Sequence, residues 1–136
     1  MTAFYDAASA IRSRMQANWS ATPIVWENAP SEPAAGTPFV FFEVLGGDAF
    51  QASIGAPSSR LYRHTGVIQA HVFTPVNKGS KDSLQYADSI AAIFRGQTFG
   101  GVLCFAPRIG SGAPADDDGN WWRVTVTIPF QFDKVF

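Results

Sequence analysis

The strongest constraint on the fold is a long, unbroken alternation of apolar with mainly polar side chains over residues 121–132. A period of two is typical of a β-strand that buries one face, so this segment predicts one strand of a half-buried sheet. Pro129 has no amide hydrogen, and we therefore expect this end of the strand to lie at a sheet edge or a bulge. The expected core positions are Trp122, Val124, Val126, Ile128, Phe130 and Phe132, which alternate with Trp121, Arg123, Thr125, Thr127, Pro129 and Gln131.

Two segments predict helices, because apolar residues recur in them three or four positions apart. The first covers residues 3–19, and the second begins after Ser80, a residue type suited to an N-cap. The apolar stripe of the first helix is Phe4, Ala8, Ile11, Met15 and Trp19. The stripe of the second is Leu84, Ala87, Ile90, Ala91 and Phe94.

The other predicted strands cover residues 24–27, 39–45, 61–73 and 99–109. The run 39–45 is apolar on both alternates, so we expect both of its faces to be covered. The order α-β-β-β-α-β-β predicts an α+β fold, a single domain over residues 1–136 with a mainly antiparallel five-strand sheet flanked by two helices. Two helices are too few to cover both sheet faces, which leaves one face for contacts between subunits. The candidate interface residues on that face are Phe39, Phe41 and Trp121.

Residues 46–60 separate two predicted strands and are rich in Gly, Ser and Ala. This composition predicts a protruding hairpin with a flexible tip near residues 55–59. Residues 110–120 predict a polar loop.

Composition limits the classes of function. Only 15% of the residues are charged, the net charge is −1, and there are 12 Phe, 4 Trp and 3 Tyr. This excludes a disordered chain, a coiled coil and a disulfide scaffold, and it gives no electrostatic attraction to nucleic acid or acidic membranes. No apolar run approaches the roughly 20 residues of a membrane span. We expect that the chain has no secretion signal and that it is made and functions in a reducing cytoplasm. We also expect part of the aromatic surplus to face another subunit.

No group of residues in the sequence indicates catalysis or metal binding. Cys104 lies in an apolar run without a basic neighbour, so a buried thiol is favoured over a nucleophile. His64 and His71 are seven residues apart on one strand, hence on opposite faces, and cannot easily share a metal. Asp116, Asp117 and Asp118 lack the spacing of a calcium loop and predict a solvated hairpin tip. We expect no cofactor and no enzymatic activity, with a small cytosolic enzyme using Cys104 as the alternative from another class.

Taken in order, five short segments resemble a family of small bacteriophage proteins, the tail terminator (tail completion) proteins of long-tailed phages and prophage-derived particles. The resemblance spans nearly the whole chain and carries no catalytic residues. The segments are Val25-Trp26-Glu27-Asn28, Gly36-Thr37-Pro38-Phe39, Arg63-His64-Thr65-Gly66, Val72-Phe73-Thr74-Pro75 and Trp121-Trp122-Arg123-Val124-Thr125-Val126-Thr127-Ile128-Pro129-Phe130.

The resemblance implies a tail-tube-like fold and a homo-hexameric ring. Such a ring caps the tail tube, ends tail elongation and offers its other side to a head-completion or connector protein. The protein would then act in the host cytoplasm during assembly and in the tail-neck region of the virion, without membrane or specific nucleic-acid partners. A head-completion protein or a minor tail or tube protein of the same particle is the alternative. The candidate contact loop for the tube is Phe50, Gln51, Ile54, Arg60 and Arg63, and the candidate neck-facing loop is Asp116, Asp117 and Asp118.

Overall fold

The computed structural model describes residues 3–28, 36–57, 59–77, 79–115 and 120–135, which form two helices and eight strands. The helices are α1 (Ala3–Asn18) and α2 (Lys81–Phe94). The strands are β1 (Ile24–Trp26), β2 (Phe39–Gln51), β3 (Leu61–Pro75), β4 (Thr98–Phe99), β5 (Val102–Cys104), β6 (Arg108–Ile109), β7 (Ala113–Pro114) and β8 (Trp121–Val135).

All eight strands belong to one sheet in the order β1-β2-β3-β8-β5-β4, and β6 and β7 also pair with β8. Only β1 and β2 run parallel, and the other pairs are antiparallel. The predicted α+β class is therefore confirmed. Strand β8 is the centre of the sheet, because it pairs along its whole length with β3 and with three short strands on its other side.

The sheet has eight strands rather than the predicted five, because one predicted strand is broken and one predicted loop contains a strand. Gly100 and Gly101 have φ angles of 54° and 82°, which end β4 and start a turn in the segment predicted as one strand over 99–109. A further break separates β5 from β6. In the loop predicted at 110–120, Ala113 and Pro114 pair with Arg123 and Trp122.

The core lies between the two helices and one face of the sheet, as the alternation in β8 predicts. Every side chain on this face between Val124 and Phe132 is almost fully buried. The core residues from the central strands are Val40, Phe42, Val44, Ile68, Ala70, Val72, Val124, Val126, Ile128, Phe130 and Phe132. The helices contribute Ala7, Ile11, Met15, Ala87, Ile90, Ala91 and Phe94.

The helix stripes were predicted correctly in their central turns and wrongly at their first turns. Phe4 is 41% exposed and Leu84 is 44% exposed, while Ala7 and Ser83 are buried instead. The Ser83 hydroxyl can be buried because it donates a hydrogen bond to the Ser80 carbonyl at 3.0 Å. The N-cap at Ser80 makes no side-chain capping bond.

Pro129 lies at a bulge-like irregularity, one of the two positions predicted for it, and not at a sheet edge, since β8 has strand neighbours on both sides and its pairing register shifts by one residue between β5 and β6. It pairs with Val67 of β3 and lies between the stretches of β8 that pair with β5 and β6. The hydrogen-bond ladder between β8 and the short strands β5 and β6 is interrupted at Pro129, so no neighbouring strand requires the missing amide hydrogen. The Pro129 carbonyl still accepts a hydrogen bond from the Phe105 amide at 2.9 Å.

The hairpin between β2 and β3 is longer and more regular than predicted. Strand β2 continues to Gln51, with a bulge between Gly46 and Ala49, so only residues 52–60 form the connection. Neither described helix is long and apolar enough to span a membrane.

Candidate assembly surface

The side of β2, β3 and β8 that faces away from both helices forms the surface that we call the open face. Its side chains are half-buried or exposed, and none is fully buried. Within a single chain only one face of β2 is therefore covered, rather than both. From the strand alternation, the open face consists of Phe39, Phe41, Glu43, Leu45, Thr65, Val67, Gln69, His71, Phe73, Trp121, Arg123, Thr125, Thr127, Pro129 and Gln131.

An aromatic cluster of Phe39, Phe73 and Trp121 lies at one end of the open face. The rings of Phe39 and Phe73 are stacked at 4.7 Å, and the Trp121 ring meets Phe39 edge-on at 5.0 Å. Two of the three predicted interface residues are thus brought together. Phe73 was missed, because its position opposite Phe39 depends on the register between β2 and β3.

Phe41, the third predicted interface residue, lies on the open face but outside the aromatic cluster. Its ring is 5.9 Å from that of His71. The neighbouring Phe42 is fully buried in the core, while Phe41 is only half-buried. This settles which alternate of β2 belongs to the core.

A hydrogen-bonded row crosses the middle of the open face and joins three strands. His71 Nε2 lies 2.9 Å from Glu43 Oε1, and His71 Nδ1 lies 2.8 Å from Thr125 Oγ1. An ionised carboxylate can only accept, so in the neutral imidazole Nε2–H donates to Glu43 and Nδ1 accepts from the Thr125 hydroxyl. These polar groups already have partners, so another protein can cover them without leaving them unsatisfied. No local pattern in the sequence predicts this row, because its three residues come from three different strands.

The five residues predicted as a contact loop are distributed over two strands and a turn. Phe50 and Gln51 belong to β2 and Arg63 to β3, while Ile54 and Arg60 lie in the connection. Ile54 is fully exposed and Phe50 is 49% exposed.

Both arginines at the hairpin are held by bonds within the chain. Arg60 Nε donates to the Gly55 carbonyl at 2.9 Å. Arg63 makes two bonds to the carboxylate of Asp133 in β8, at 3.0 and 3.2 Å. The hydrogen bond from Arg63 lowers the pKa of the Asp133 carboxyl below its ordinary value. Asp116, Asp117 and Asp118 lie outside the described residues.

Cys104 and the two histidines do not form a reactive group. Burial raises the pKa of the Cys104 thiol to about 11, so it is protonated at neutral pH. The ring of His64 stacks on Phe132 at 4.7 Å on the helix side of the sheet, whereas His71 lies on the open face. Among the residues that the structure describes, no three His, Cys, Asp or Glu side chains are grouped to hold a metal.

Comparison with known proteins identifies a family. A sequence model described as "Phage tail terminator protein" matches residues 6–130 of the chain. No curated protein sequence matches significantly. One solved structure that carries no functional name has 18% sequence identity and a TM-score of 0.69, over 100% of this chain and 99% of the other. At that identity the structural match shows a shared fold.

Proposed function

The chain belongs to the phage tail terminator protein family, and from this membership we propose that it forms a homo-hexameric ring that caps the tail tube. As a member of this family the protein has a structural role in a phage tail. The family match over residues 6–130 is the observation that carries the proposal. We take residues 1–136 to act as one tail-terminator-like domain.

The open face supports the ring, because it combines exposed apolar area with satisfied polar groups. Phe39, Phe41 and Trp121 are the proposed contacts with the neighbouring subunit. Full burial of a large apolar side chain that starts fully exposed is worth roughly 1.5–3 kcal/mol. The three rings are already half-buried within the chain, so each supplies only a part of that value to a contact. In a closed ring every such contact is heterologous and is repeated around the axis, so the same patch stabilises all of them.

The hairpin end supports a contact with the tail tube. Phe50 and Ile54 present apolar side chains to solvent there, and Gln51, Arg60 and Arg63 belong to the same hairpin. Exposed apolar side chains at the end of a protruding hairpin suit docking against another protein. The loop with Asp116, Asp117 and Asp118 is the proposed surface toward the head-completion or connector protein.

The proposed mechanism is recognition rather than chemistry. One side of the ring has the same binding surface as a tube subunit. The opposite side lacks the surface that a further tube ring would bind, so elongation stops there. The capped end then joins the head in the neck of the virion, after assembly in the host cytoplasm. A non-enzymatic role is supported by Cys104, whose buried thiol has a pKa of about 11 and is a poor nucleophile.

Two measurements test the proposal. Native mass spectrometry of the purified protein at several concentrations should give six times the chain mass of 14.7 kDa. Adding the protein to tube subunits that polymerise in vitro should fix the tube length and place an immunogold label at one tube end. A stable monomer that leaves tube growth unchanged would contradict the proposal. Labelling along the tube would indicate a tube protein instead, and labelling only on heads would indicate a head-completion protein.

A further inference from the structure

At the hairpin end the sheet narrows to three strands, β2, β3 and β8. Strand β1 pairs only with residues 40–42 of β2, and β5 pairs only with residues 130–132 of β8. In the described part of the chain, the outer edges of β2 at 49–51 and of β8 at 133–135 therefore have no neighbouring strand. These two segments are called the β2 edge and the β8 edge below.

The backbone groups on the β2 edge point outward. The Ala52 amide donates to the Leu61 carbonyl of β3 at 2.7 Å, and it therefore points into the hairpin. Amides alternate in direction along a strand, so those of Gln51 and Ala49 point away from β3. Nearer to β1 a side chain occupies the same edge, because the carboxylate of Glu27 accepts the Val44 amide at 3.3 Å.

The backbone groups on the β8 edge also point outward, on the opposite side of the sheet. The carbonyls of Thr125 and Pro129 accept amides from the side away from β3. The register of β8 with β3 is uninterrupted to Val135, so the backbone groups of Asp133 and Val135 point to that outer side as well. The carboxylate of Asp133 is held by Arg63, so its charge is already paired at this edge.

We propose that the β2 edge of one copy pairs with the β8 edge of the next copy in the ring. An open edge is a template for another strand, and proteins ordinarily protect or use such edges. Each copy offers one edge of each kind, on opposite sides of the same three strands. This is a heterologous contact that repeats from copy to copy. The assembly closes into a ring when the rotation between neighbouring copies brings the last copy back to the first.

The pairing between copies is parallel. Strands β2 and β8 are both antiparallel to β3, so they run in the same direction within a copy and, by the ring symmetry, across the contact. With about three residues on each edge the pairing supplies only a few hydrogen bonds, and each contributes little net because it replaces a hydrogen bond to water. The edges therefore set the register between copies, and apolar contacts on the open face supply most of the attraction. The inference rests on the proposed ring.

A proline variant tests the edge directly. Gln51→Pro removes an outward amide that no hydrogen bond among the described residues uses, and proline is tolerated at strand edges. The matched control Gln51→Val also loses the side-chain amide but keeps the backbone amide. We expect both variants to fold by circular dichroism, with the ring of Gln51→Pro dissociating at a protein concentration at least tenfold higher than the wild type or Gln51→Val.

Cross-linking provides a second measurement that does not depend on how the proline variant folds. The double variant Gln51→Cys with Lys134→Cys should give a ladder of disulfide-linked species up to the hexamer on mild oxidation. The pair Leu84→Cys with Lys134→Cys, which uses an exposed position on α2, should not. The edge pairing is overturned if the wild type forms a ring but the variant with Gln51→Cys and Lys134→Cys does not cross-link, and Gln51→Pro, where it folds, leaves the ring unchanged. The proposed function would remain intact in that case. A wild-type protein that stays monomeric at all concentrations overturns both.

Discussion

The two faces of the sheet formed by β2, β3 and β8 differ in which side chains they contain and in what those side chains stabilise. The face under the helices consists of aliphatic and aromatic side chains that are almost completely buried. The open face mixes aromatic rings with Glu43, His71 and threonines, all half-buried. Because neighbouring residues of one strand belong to different faces, a substitution at one position tests the fold and the same substitution one residue along tests assembly.

The largest effect is expected from a charge in the core. Val126→Asp places a carboxylate without a partner among buried side chains, at a cost of several kcal/mol, comparable to the stability of a small domain. We expect the variant to be unfolded or aggregated by circular dichroism and thermal denaturation. Thr127→Asp, one residue along on the open face, is the matched control and should fold. A normally folded Val126→Asp protein would show that this face does not hold the core together.

The next effect is on assembly without loss of the fold. Phe41→Glu puts a charge on the open face and should leave a folded monomer, whereas Phe42→Glu should not fold. Sedimentation and circular dichroism measured together distinguish the outcomes. A folded hexamer of Phe41→Glu would exclude this surface from the interface, and an unfolded chain would show that the open face also stabilises the monomer. Because the proposed attraction is mainly apolar, wild-type assembly should change little with salt concentration.

A third change affects tube capping and leaves the fold intact. Deletion of residues 52–58 removes most of the hairpin connection, whose described residues contribute nothing to the core. We expect normal folding and ring formation but loss of control over tube length, measured by electron microscopy of tubes grown in vitro. Ile54→Ser, which changes only the most exposed apolar side chain, should weaken capping to a smaller degree. Tubes of normal length with the deleted protein would remove the hairpin from the docking role.

The smallest effect concerns the ion pair of Arg63 and Asp133 at the hairpin end. The pKa of Asp133 is lower in the folded protein than in the unfolded chain, so the pair stabilises the fold above the ordinary aspartate pKa of about 3.9. This contribution disappears as the pH falls through the lowered pKa. Thermal melts should therefore show a small loss of stability for Asp133→Asn at neutral pH that vanishes at strongly acidic pH. A difference that persists in acid would have another cause.

The sequence predicts what depends on local periodicity and fails where distant segments must be aligned. The alternation in β8 identifies the buried face correctly, because each strand residue points opposite to its neighbours. The aromatic cluster and the row of Glu43, His71 and Thr125 join three strands, so they depend on strand registers that no local pattern contains. The helix stripes failed at their first turns for a related reason, since contacts with the sheet decide which side chains of the first turn are buried.

The central position of β8 has a consequence for the order in which the protein folds. Strands β3, β5, β6 and β7 all pair with β8, yet all of them precede it in the chain. During synthesis none of these pairings can form until residues 121–135 have left the ribosome, and the apolar strands made earlier remain exposed until then. Contacts between segments far apart in sequence also form slowly, because closing a long loop costs entropy. The nascent chain is thus expected to be most prone to aggregation just before β8 emerges, and to begin assembly only after β8 completes the sheet.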